Sequence, residues 1–210
     1  MKLPPRTRTA LTLAMIGLMS AAILAGLNHI THDRIALEQD RRALAALTQL
    51  LPESSFDNEL VADWIELDVP NLPRPTRIYR ARLDNEPTAA IIDLTTPRGY
   101  SGDIRLLVAA RPDGSVIGVR VLEHRETPGL GDRIEARRSD WINQFGGRSL
   151  QDPPPEAWAP DRRGGDFDTM TNATITASAV IDAVRRALET LTDHGEDIWD
   201  QSPDTPAGLD

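Results

Sequence analysis

The chain has 210 residues, 40% of them hydrophobic, and no cysteine; that is one domain's worth of core, and it excludes disulfides, thiolate metal sites, iron–sulfur clusters and cysteine nucleophiles. The net charge of -9 is uneven: residues 1–32 carry Lys2, Arg6 and Arg8 and no acid, while the remainder carries 20 basic and 32 acidic side chains. An acidic domain with 4% aromatic residues is a poor partner for nucleic acid, because it repels phosphates and lacks stacking surfaces.

Between Arg8 and Asp33 lie 24 uncharged residues, with an apolar core from Ala10 to Leu27. As a helix this stretch reaches roughly 36 Å, enough for a hydrocarbon layer about 30 Å thick. A transmembrane helix is expected over residues 10–30, after a basic cytoplasmic segment at residues 1–9. The positive-inside rule puts the rest of the chain outside the cytoplasm. The alternative is a cleaved signal peptide, for which Ala21, Ala22 and Ala25 offer cleavage points.

Residues 31–76 read as a juxtamembrane helix and linker. Ile35, Leu37, Leu44, Leu47 and Leu51 form a broken stripe over Thr31–Leu51; Pro52 ends it, and Pro70, Pro73 and Pro75 mark loops. A strand-rich block follows. Tyr79, Ala81 and Leu83 alternate with Arg80 and Arg82, a half-buried pattern. A turn at Asp84–Pro87 leads to the apolar run Ala89–Leu94. Residues 104–122 form a hairpin about Arg111-Pro112-Asp113-Gly114. Asp140–Phe145 reads as a short helix and Pro153–Pro160 as a loop. In Ala177–Leu191, Val180, Ile181, Val184, Leu188 and Leu191 recur at helical spacing, with Arg185, Arg186 and Glu189 outside. Residues 194–210 read as a mobile acidic tail. The expected class is α+β: a mostly antiparallel sheet with flanking helices in one domain over residues 77–193.

Two segments have chemical potential. Asp168-Thr169-Met170-Thr171-Asn172-Ala173-Thr174-Ile175-Thr176 packs hydroxyls just before the last long helix. A helix start offers free N–H groups and a positive dipole end, which suit a phosphate. The same residues also suit plain N-capping by Thr174 or Thr176. The second segment is Glu126-Thr127-Pro128-Gly129-Leu130-Gly131. Its glycines let backbone approach a ligand closely. Leu130 either covers a flat apolar ligand or packs back into the core. His124 reads as a hydrogen-bonded residue rather than a metal ligand, since His29 and His32 belong to the anchor and His194 to the tail.

Together these segments resemble the flavin-binding G subunit of the Rnf-type ion-translocating electron transport complex of bacterial inner membranes. A sister family is the C subunit of the sodium-translocating NADH:quinone oxidoreductase. The family's attachment motif runs Asp-x-x-Ser/Thr-Gly-Ala-Thr, and here it reads Asp168, Thr171, Asn172, Ala173 and Thr174, with Asn172 where the family has Gly. Gly and Asn are the residues most tolerant of positive φ. The Glu126–Gly131 segment matches a second signature that lies against the flavin, and Gly99-Tyr100-Ser101-Gly102 and Asp140-Trp141 are also family-like.

The resemblance implies FMN held covalently through its phosphate to Thr174, with Asp168, Thr171, Asn172 and Ala173 read by a flavin transferase during maturation. It further implies cofactor contacts from Glu126, Thr127, Pro128, Gly129, Leu130, Gly131, Tyr100 and Thr176. No side chain is expected to act as an acid or base, and no metal site is expected. The implied protein is a single-pass subunit with a cytoplasmic N-terminus and a periplasmic domain. It would relay electrons to other membrane and redox subunits of a complex coupling electron transfer to cation transport. The alternatives are a flavinylated domain of another extracytoplasmic system and a cofactor-free anchored interaction subunit.

Overall fold

A computed structural model of the chain describes residues 14–21, 45, 50–70 and 72–203. The chain divides into two units, Met1–Ala43 and Leu44–Asp210. In the first unit residues 14–21 are helical (α1) and exposed, with Met15, Ile16, Leu18 and Met19 all open to solvent. The other residues of the expected span, 10–13 and 22–30, lie outside the described residues, as do residues 31–44 of the juxtamembrane helix and residues 46–49. Among the described residues no helix is long and apolar enough to cross a membrane.

The second unit is built on a five-stranded antiparallel meander in the order β1-β2-β3-β4-β5: Trp64–Leu67, Thr76–Leu83, Glu86–Thr96, Ile104–Ala110 and Val116–Glu123. Short turns join β2 to β3 and β4 to β5 because their residues accept left-handed backbone. Asp84 and Asn85 take φ of 51° and 68° between β2 and β3, and Gly114 takes 83° between β4 and β5. The long helix α2 (Thr174–Asp193) and the short helix α3 (Gly195–Asp200) follow the sheet in sequence.

Strand alternation gives the sheet two apolar faces. Ile78, Ala90, Ile92, Leu94, Leu106 and Val108 share one core with Val180, Ile181, Val184 and Leu188 of α2. Phe145, Trp158 and Phe167 complete that core as an aromatic cluster, with Phe145–Phe167 and Trp158–Phe167 centroids 5.1 and 4.7 Å apart. Trp64, Tyr79, Ala81, Ile91 and Leu107 line the opposite face and pack with Leu50, Leu51 and Leu60. The α+β class, the hairpin over residues 104–122, the short helix at Asp140–Phe145 (a 3-10 helix) and the apolar stripe of α2 all match the sequence expectation.

Three features differ. The sheet starts at Trp64, because β1 pairs with β2. The alternation expected in β2 fails at Arg80 and Leu83. Leu83 is exposed, whereas Arg80 is 1% exposed. Arg80 is buried because its guanidinium is satisfied: it binds Asp63 and donates to the carbonyls of Ile198 and Gln201 at 2.9 and 2.6 Å. Residues 195–200 form α3 rather than a mobile tail. Ile198 is fully buried there, and Arg82 donates to the Trp199 carbonyl at 2.7 Å. Residues 204–210 lie outside the described residues.

Candidate functional site

The first turn of α2 is unusual in what it lacks. Its N-cap residue is Ala173, and no side chain caps the helix. The capping use of Thr174 and Thr176 is therefore corrected: Thr174 is the first helical residue, and the Thr176 hydroxyl donates to the Glu126 carboxylate instead. No acidic residue occupies the first turn. The N–H groups and positive dipole end of α2 meet no carboxylate of their own helix.

The segment leading into α2 is held from below. Met170 and Phe167 are buried in the core, which pegs the chain on either side of Asp168. The Asp168 backbone is bound at both ends: its N–H donates to Gln144 Oε1 at 2.7 Å, and its carbonyl accepts from Trp141 Nε1 at 2.7 Å. The Ala173 N–H closes a turn on the Met170 carbonyl at 3.1 Å. Within that turn Asn172 has φ of 63°. The position where the related motif carries Gly is thus a left-handed one, and Asn satisfies it. Asp168, Thr171 and Asn172 are exposed.

The 126–131 loop lies against this helix start. The N–H groups of Leu130 and Gly131 both donate to the Thr127 carbonyl at 3.1 Å, and Gly129 turns the chain with φ of 79°. The Gly129 N–H donates to Asp132 Oδ1 at 2.8 Å, and Arg138 pairs with Asp132 Oδ2 at 3.0 Å. Leu130 is 39% exposed, so it does not pack back into the core. His124 is hydrogen-bonded, as its surroundings suggested: its Nδ1 accepts from the Glu126 N–H at 3.1 Å, and its Nε2 lies 2.9 Å from Glu135 Oε1. Glu135 is held down to about 2, chiefly by its hydrogen bond from Arg137 and then by the one to His124.

These pieces enclose a cavity of about 440 Å³, within the size range of small-molecule and cofactor sites. The 126–131 loop contributes Glu126, Thr127, Leu130 and Gly131; the α2 start contributes Asn172, Ala173, Thr174 and Thr176; Tyr100 closes a third side. Nine residues singled out in the sequence therefore meet in one place. Pro128 and Gly129 shape the loop without lining the cavity, and Asp168 and Thr171 lie outside it. Ile175 also lines the cavity and is half exposed. It escaped notice because an exposed isoleucine in the first turn breaks no helical pattern. Tyr100, Leu130 and Ile175 together give the opening an apolar rim.

The arrangement suits FMN. A phosphate has the uncapped end of α2 and the Thr174 hydroxyl, and a flat ring has apolar rim residues. The chain matches the FMN-binding domain family over residues 99–189 and the RnfG N-terminal region over residues 1–50. It is 38% identical over 200 residues to the G subunit of the ion-translocating oxidoreductase complex of Shewanella oneidensis, covering 94% of each chain. It is 43% identical over 178 residues to the same-named protein of Escherichia coli K12, covering 84% of this chain and 86% of that one. The Pseudomonas aeruginosa G subunit is 42% identical over 186 residues, 86% of each chain. The chain carries an FMN-binding domain and belongs to the G-subunit family of ion-translocating oxidoreductase complexes.

Proposed function

We propose that this chain is the flavin-carrying subunit of an ion-translocating oxidoreductase complex, with FMN esterified to Thr174, and that it relays electrons between other subunits. One observation carries the reading: two segments about 40 residues apart in sequence meet at a single cavity, with Thr174 at the uncapped first turn of α2. In attachment, the Thr174 hydroxyl gives up its proton and forms the P–O bond, while the bond from that phosphorus to the donor's leaving group breaks. The phosphate charge that remains is stabilised by the N–H groups of the first turn. Asp168, Thr171 and Asn172 are exposed beside it, accessible to a flavin transferase. Tyr100, Leu130 and Ile175 offer the apolar surface for the ring. Bound FMN supplies one- and two-electron transfer, so the protein's task is to hold, orient and tune it.

The reading includes a membrane anchor over residues 10–30, a cytoplasmic N-terminus and a periplasmic domain. The exposed Met15, Ile16, Leu18 and Met19 on α1 and the basic residues before it support that arrangement. A reporter fused after Asp210 is expected to be active only outside the cytoplasm; activity inside reverses the topology.

The decisive experiment is the intact mass and denaturing-gel fluorescence of the full chain, produced with a flavin transferase and purified from membranes. One FMN adduct is expected on the wild type and none on Thr174→Val, with the fold retained. A wild type without adduct, or an adduct that survives in Thr174→Val, overturns attachment at Thr174.

A further inference from the structure

Glu126 lines the cavity, yet it is only 5% exposed. Both of its carboxylate oxygens are engaged by the protein: Oε1 accepts from the Ser101 N–H at 3.0 Å, and Oε2 accepts from the Thr176 hydroxyl. Each oxygen therefore has a donor from the protein. Among the described residues no arginine or lysine forms an ion pair with it. A buried carboxyl group held only by neutral donors is costly to stability.

The neighbouring backbone is shaped around this group. A Cβ on Gly99 would lie 2.3 Å from the Gly102 carbonyl oxygen and 2.8 Å from Glu126 Oε1, and one on Gly131 would lie 2.8 Å from Oε2 and 3.1 Å from Thr176 Oγ1. Neither glycine has a positive φ, so conformation does not demand glycine at either position. Space does. Three segments therefore converge on one carboxylate: the 99–101 turn, the 126–131 loop and the first turn of α2.

We infer that Glu126 is the positioning residue of the flavin site. Through Thr176 it clamps the first turn of α2, which carries Thr174, to the 99–101 turn. Its charge at the cavity wall opposes the arrival of electrons on a bound flavin and so lowers the flavin's potential. This role rests on the attachment proposed above.

The test uses the full chain produced with a flavin transferase, comparing wild type with Glu126→Gln and Thr176→Val. The readouts are the rate of covalent flavin loading and the midpoint potential of the loaded fraction. Glu126→Gln keeps the shape and removes the charge; it is expected to load several-fold more slowly and to shift the midpoint to a more positive value. Thr176→Val removes the clamp and keeps the charge; it is expected to load more slowly with a midpoint near that of the wild type. Loading of Glu126→Gln at the wild-type rate overturns the inference, and so does an unshifted midpoint in its loaded fraction. If Glu126→Gln fails to fold, Thr176→Val decides, and a wild-type loading rate there overturns the clamp. A wild type that carries no flavin defeats the attachment reading itself. A loaded wild type indistinguishable from Glu126→Gln defeats only the role given to Glu126.

Discussion

The two ends of the helical C-terminal region are treated in opposite ways. At the far end polar groups are paired. The His194 N–H returns to the Thr190 carbonyl at 3.1 Å, and buried Arg80 with its neighbour Arg82 takes the carbonyls of Ile198, Trp199 and Gln201. At the near end α2 has no side-chain cap, and its first turn opens onto the cavity. A helix start normally gains about 1 kcal/mol from a capping side chain. Leaving it bare forgoes that gain and leaves the first-turn N–H groups without a capping side chain. One end is closed by paired polar groups, and the other is left open where the FMN phosphate is proposed.

Breaking the far end should cost the most. Arg80→Met leaves Asp63 with fewer donors and strips the Ile198 and Gln201 carbonyls of theirs, so a loss of about 3 kcal/mol is expected. Urea unfolding measures it, and the folded fraction should still load flavin, because the near end is untouched. A variant as stable as wild type would show that the clasp contributes nothing. At the near end the backbone conformation can be tested alone. Asn172→Gly should load like wild type, whereas Asn172→Val forces a branched residue into left-handed backbone at a cost of about 1 kcal/mol and should load more slowly. Equal loading by both variants would show that the dihedral is irrelevant to attachment.

The smallest effect is expected in acid, beside the 126–131 loop. Glu135 is held at about 2, first by Arg137 and then by His124. Its folded-state value lies below its ordinary 4.5, so its contribution is fully present above about 4.5 and is lost as the pH falls toward 2. Arg137→Gln should therefore move the acid-unfolding midpoint slightly upward, read by circular dichroism against pH. The shift is small because Arg137 is largely exposed and its pairing is screened. An unchanged acid limb would assign the effect to His124 alone.

The parts legible in the sequence were those whose cause is local. The apolar spacing of Val180, Ile181, Val184 and Leu188 specifies the buried face of α2, and the Asp113-Gly114 turn specifies the β4–β5 hairpin. The cavity was legible in its pieces, because glycine-rich and threonine-rich segments stand out from ordinary strand and helix patterns. What stayed hidden depends on distant partners. Arg80 looks like a solvent-facing residue until Asp63 and the carbonyls of Ile198 and Gln201 come to it, the latter from more than 100 residues away. β1 has four residues and takes its identity from pairing with β2. Glu126 reads in sequence as a ligand contact. Only the fold shows its carboxylate turned toward Ser101 and Thr176.

The torsion angle at Asn172 bears on how relatives are found. What the backbone requires at that site is a left-handed dihedral, and two amino acids meet it with little strain. A search pattern that insists on glycine before Ala-Thr would discard chains such as this one. A rule admitting asparagine there, coupled to the Thr-Pro-Gly-Leu-Gly loop, would retrieve them.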